Sequence, residues 1–278
     1  RVAMSETFLA RLYEFMIIIY AISLCLYFFD YLKKKMLVRR TAFWFISAVW
    51  VLQTSFLILF MLEEKRFPIL TLFEGIYFYG WLLTSLSIVL HCIARVDIPV
   101  VFMNIIGFIF VTITLFNSEG STNVMSEIIV SEMLMIHISL AILSYAMFTL
   151  TFVFSMLYLI LYRLLKDKKF SGIWSRLPSL GQTSNWMNNS ILVGVPVLFI
   201  SLILGLEWAW LTIDKVSLFD IKIVSSFVLT VIYLTLFFLH RSGKLVGTTF
   251  AWVNIYVYLA VVINFFLGNS LSKFHLWI

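Results

Sequence analysis

The sequence predicts an all-α polytopic membrane protein, a bundle of about eight transmembrane helices with both termini outside. Three observations carry this expectation. Hydrophobic residues make up 62% of the 278-residue chain and charged residues only 12%, with a mean hydropathy of +1.03. Several apolar runs reach the roughly 20 residues that a helix needs to cross a hydrocarbon core of about 30 Å. These runs lack sustained period-2 alternation, so helices, which satisfy their own backbone hydrogen bonds in lipid, are the expected solution. The basic residues, finally, are divided unevenly between alternate loops.

The first span, about 8–31, runs into Lys33-Lys34-Lys35 and has no small-residue cleavage pattern, so no cleavable signal peptide is expected. Met4-Ser5-Glu6 reads as a natural start, which makes residues 1–3 an expected addition. The following spans are about 41–62, 69–92, 99–116, 134–162, 188–206, 221–240 and 249–267. The fifth is longer than a bilayer requires and is expected to project into the cytoplasm. Segments 33–40, 93–98, 163–176 and 241–247 hold 13 of the 20 basic residues, and the positive-inside rule puts that set in the cytoplasm. The net charge of +6 is therefore a topology signal, and no nucleic-acid partner is expected. The lipid bilayer is the partner that composition names.

The loops leave no room for a soluble domain, so residues 1–278 form one expected transmembrane domain. The stretch 163–187 is basic, contains Gly172, Pro178 and Gly181, and is expected to break after the fifth helix and lie along the inner surface, as a lipid anchor or a docking surface for a cytosolic partner. The outer stretch 207–220 carries Trp208 and Trp210, which an interfacial aromatic belt explains. Cys25 and Cys92 lie in or at the ends of spans, in no CxxC motif, and are expected to be small buried apolar residues. There is no P-loop, GxGxxG, HExxH or GxSxG, and no pair of carboxylates spaced for acid–base work. No enzyme is expected.

The four histidines are the chemistry-bearing residues. His91, His137, His240 and His275 all sit at ends of apolar stretches, two on each side under the charge-derived topology. Imidazole is a common axial ligand of haem iron, and each pair is drawn from different helices, as a bis-histidine site requires. One or two haem b groups are the expected cofactors. Phe78, Tyr79 and Trp81 on the third span, with Tyr145 and Phe148 on the fifth, offer aromatic neighbours. Glu74 is the acidic residue well inside a span, where a carboxylate calls for a partner or a cavity. A pairing near His137 and a simple interfacial position both remain open for it.

The segments 133–166, 176–209, 231–247 and 263–278 resemble, in order, the histidine-bearing helix, the following segment that ends in Trp-Ala, the Tyr-Leu-x-x-R-turn-Gly element and the closing helix of the cytochrome c assembly family. The resemblance covers about residues 70–278. It implies that His137 and His275 are outer haem ligands, and that His240 with His91 is an inner pair. With the histidines, Trp208, Trp210, Tyr145 and Glu74 are the cofactor-binding candidates of the sequence. Where family synthases carry a WGxxWxWDPKE loop, this chain has WAWLTIDKVSLFDIK (208–222), so the platform that presents haem to an apocytochrome is eroded.

The whole chain is most similar to the HemX-type membrane proteins of Gram-positive bacteria. That likeness implies a plasma-membrane protein that lowers glutamyl-tRNA reductase abundance, with the reductase or its degradation machinery as a cytoplasmic partner. A haem-handling component of cytochrome c assembly is the alternative.

Overall fold

In a computed structural model the chain is described over residues 2–33, 35–94, 96–115, 132–168, 177–212 and 219–271. Eight helices account for nearly all of these residues: α1 (Val2–Lys33), α2 (Met36–Glu64), α3 (Leu72–Ala94), α4 (Ile98–Leu115), α5 (Glu132–Lys166), α6 (Leu180–Thr212), α7 (Ile221–Arg241) and α8 (Gly247–Leu271). No strand occurs among the described residues. Seven of the helices are long and apolar enough to cross a membrane, and α4 is a shorter apolar helix. The all-helical, multi-pass reading is borne out. The 35 residues of α5 reach about 52 Å at 1.5 Å per residue, well beyond a hydrocarbon core.

The helices cluster into two compact units, Arg1–Ser121 and Thr122–Ile278. Each is a ring of four in which consecutive helices pack together and the last returns to the first: α1–α2–α3–α4 in one, α5–α6–α7–α8 in the other.

Inside the first unit several polar side chains find partners across helices, one of the means by which helices associate in lipid. Asn104 on α4 donates to Ser87 Oγ (2.8 Å), and its carbonyl accepts from Tyr20 Oη on α1 (3.1 Å). Trp50 on α2 donates to Ser85 Oγ (2.8 Å) and Trp81 on α3 donates back to Thr54 Oγ1 (3.0 Å). Trp81, a sequence candidate, thus ties α3 to α2, and Phe78 stacks on it.

In the second unit, α6 presents one buried stripe: Met187, Ile191, Gly194, Leu198, Ser201, Gly205 and Trp208. The alternating steps of four and three are the spacing of knobs-into-holes packing. Gly194 lies under the Phe148 ring of α5, where a Cβ would come within 2.7 Å. Phe148 in turn stacks face to face on Tyr233 of α7 at 4.0 Å between centroids.

Three expectations are corrected. Helix α6 begins at Leu180, not near 188, because Ser179 and Gln182 form a reciprocal capping box: Gln182 N donates to Ser179 Oγ and Ser179 N to Gln182 Oε1, each at 3.1 Å. Most of the second half of the expected loop 163–187 is therefore helix; residues 169–176 lie outside the described ones. At its other end α6 continues to Thr212, which makes Trp208 and Trp210 helical rather than loop residues. Cys25 and Cys92 are exposed, not buried, since a small thiol is as well matched to lipid as to a core.

Replacing Ser179 with Ala is expected to remove about 1 kcal/mol from the first turn of α6. Hydrogen exchange of the amides of residues 181–184 measures this: faster exchange there and unchanged rates beyond Pro196 are the expected outcome.

Candidate functional site

His137 stands in the second turn of α5, facing α6. The ring lies against Gly205, where a Cβ would sit 2.5 Å from Cε1 and 2.7 Å from Nδ1, so only hydrogen fits there. Its Nδ1 donates to the Ser201 carbonyl at 2.6 Å, and Ser201 Oγ, 3.1 Å from the same nitrogen, donates to the His137 carbonyl at 2.8 Å. A carbonyl only accepts, so the proton is on Nδ1 and the lone pair is on Nε2. That is the tautomer of a neutral imidazole ligand whose other nitrogen is oriented by a backbone oxygen.

Around this ring α5, α6, α7 and α8 enclose a cavity of about 80 Å³, a partly open slot with mostly apolar walls. Its polar contributors besides His137 are Tyr145, Trp208, Lys222 and Ser226. Trp208 is only 4% exposed, and its buried Nε1 has no hydrogen-bond partner. Lys222 enters from the first turn of α7, which Asp220 caps by accepting from Lys222 N at 2.9 Å. Tyr145 bonds Ser226 and Asn264 through its hydroxyl and meets the edge of Phe265.

The other candidates stand as follows. Trp210 is 67% exposed and does not line the slot. His275 lies outside the described residues. His240, at the end of α7, donates from Nδ1 to the Leu245 carbonyl (2.9 Å), its Nε2 is 3.4 Å from Ser184 Oγ, and its ring stacks on Phe250 at 4.0 Å. Gly243, with φ of +73°, lets the chain turn back after α7 and deliver that carbonyl. His91, at the end of α3 in the first unit, stacks on Phe43 at 4.0 Å with Nδ1 3.5 Å from Asp97 Oδ1. Asp97 itself accepts from Arg39 at 2.7 Å.

Glu74 lies in the first turn of α3 and reaches back to the α2–α3 connection. Arg66 grips both its oxygens, at 2.7 and 2.9 Å, and the Leu70 and Thr71 amides donate to it at 2.9 and 3.2 Å. The carboxylate hydrogen-bonded to Arg66 raises that guanidinium's pKa above its ordinary value. Lys222 and Ser226 are the site residues that the candidate set did not include. Lys222 was signalled by its place at the end of the eroded tryptophan loop, whereas nothing in the sequence marked Ser226.

Residues 69–276 match the family model of the Cytochrome C assembly protein. The chain is 42% identical over 273 residues to Protein HemX of Bacillus subtilis (strain 168), covering 98% of this chain and 99% of that relative. It is 36% identical over 267 residues to Protein HemX of Brevibacillus brevis, covering 96% and 97%. The resemblance read from the sequence is borne out at both levels.

A Gly205→Ala substitution is expected to push the His137 ring off the Ser201 carbonyl and to cost about 1–3 kcal/mol by overpacking. A lower unfolding temperature in detergent, with ¹⁵N imidazole shifts reporting loss of the single Nδ1-protonated tautomer, checks it.

Proposed function

The chain belongs to the cytochrome c assembly protein family, and from that membership we propose that it is a haem-binding integral membrane protein that restrains haem synthesis by lowering glutamyl-tRNA reductase abundance. The observation that carries the reading is the His137 slot: a ligand-competent imidazole among apolar walls, with a cation at its edge. These residues fit haem. His137 would hold the iron through Nε2, Tyr145 and Phe265 would flank the macrocycle, and haem, when bound, supplies an axially ligated iron centre. His275 is the proposed partner ligand, as the family resemblance implies.

The width of the slot supports sensing. Pockets for ligands of this class run to roughly 300–1,000 Å³, against about 80 Å³ here. Helices α5 to α8 must therefore open to admit the macrocycle, and a ligand that binds the opened arrangement better shifts the population toward it. The basic end of α5 and the segment after it would carry that change to the reductase or to the machinery that degrades it, on the cytoplasmic side of a plasma membrane. The proposed protein has no catalytic chemistry of its own, and both its termini lie outside.

The family's name favours a second reading, a haem-handling component of cytochrome c assembly. The short, tryptophan-poor outer segment argues against delivery to an apocytochrome.

Purified protein is expected to give a low-spin bis-histidine haem spectrum that His137→Ala diminishes; no haem uptake even on reconstitution would refute both readings. Deleting the gene is expected to raise glutamyl-tRNA reductase while cytochrome c matures normally. The opposite pattern makes the assembly reading the correct one.

A further inference from the structure

We infer that Lys222 and Trp208 form an anion-recognising end of the His137 slot, which selects a ligand by its free carboxylate. The inference deepens the haem reading and rests on it. Three observations carry it. The walls of the slot are apolar, yet the Lys222 side chain lines it together with His137. Trp208, 4% exposed, lines the same slot, and its buried Nε1 donor has no acceptor. An indole nitrogen only donates, so the group that satisfies it must be an acceptor. A cation and an orphaned donor in one apolar slot describe the complement of a carboxylate, for which charge-assisted hydrogen bonds are the strong kind. Serving the ligand's anionic edge while His137 serves its metal also fixes its orientation, since the two functions come from different helices: Lys222 from α7, His137 from α5 and Trp208 from α6.

Without such an end, esterifying the ligand's carboxylates would favour binding, because the ester is more apolar and leaves no charge to desolvate. The sign of the esterification effect is therefore diagnostic.

The test titrates the full chain, reconstituted in lipid nanodiscs, with iron mesoporphyrin bearing free carboxylates and with its dimethyl ester. Wild-type protein is expected to bind the free acid roughly tenfold or more tightly than the ester. Lys222→Met should abolish that preference by weakening the acid alone, Lys222→Arg should retain most of it, and Trp208→Phe should narrow it. Metal-free mesoporphyrin should keep the preference in His137→Ala, which reads the carboxylate end without the iron ligand. Equal binding of acid and ester by the wild type overturns the inference, as does a Lys222→Met protein that loses both equally. If neither porphyrin binds the wild type, the haem reading fails first and takes the inference with it.

Discussion

Where α6 passes α5, two glycines eleven residues apart carry the contact, and what they lack sets the geometry of the second unit. Gly194 receives the Phe148 ring and Gly205 receives the His137 ring, each closer than a Cβ would allow. Lipid offers no hydrophobic reward for bringing helices together, so close van der Waals approach and interhelical hydrogen bonds must supply the association. Gly194 provides the first and lets Phe148 lie flat on Tyr233. Ser201, one turn before Gly205, provides the second by exchanging bonds with His137. The ligand-competent tautomer of His137 is thus a by-product of packing: the contact that joins the helices also aims the imidazole.

The first unit combines the same two means. Gly80 on α3 and Gly107 on α4 let their neighbours approach closer than a Cβ would allow, while the Trp50–Ser85 and Trp81–Thr54 bonds tie α2 to α3 and Asn104 ties α4 to α3 and α1. Two of the histidines share one arrangement: His137 and His240 each direct Nδ1 at a backbone carbonyl. The other nitrogen of His240 faces Ser184 Oγ at 3.4 Å, and His91 lies with Nδ1 3.5 Å from the Asp97 carboxylate.

Element order and span positions were legible because lipid imposes a length and forbids unsatisfied backbone. Faces were not legible, because a helix among lipids is apolar all round. The exposed Cys25 and Cys92 and the buried Trp208 all follow from that loss of contrast. The stripe on α6 was readable in its four-three spacing, but three of its seven members, Gly194, Ser201 and Gly205, are small or polar and look like ordinary interruptions. The start of α6 was written in Ser179 and Gln182, whose spacing is a capping box; the neighbouring polar residues made it look like loop. Of the site, sequence named the imidazole and its side-chain neighbours Tyr145 and Trp208. It did not distinguish Trp208 from Trp210, because about half a turn of helix, not composition, puts one in the slot and the other outside.

The short connection between α3 and α4 has a consequence for biogenesis. Helix α4 is the briefest span and carries Asn104 at its middle, an amide that raises the cost of entering lipid alone. Its donors are met by Ser87 of α3 and by the Val100 carbonyl of its own helix. Only a few residues separate α3 from α4, so the two leave the insertion machinery as one hairpin, the amide already matched. The one amide of an otherwise strongly apolar helix thereby enters the bilayer beside the helix made just before it.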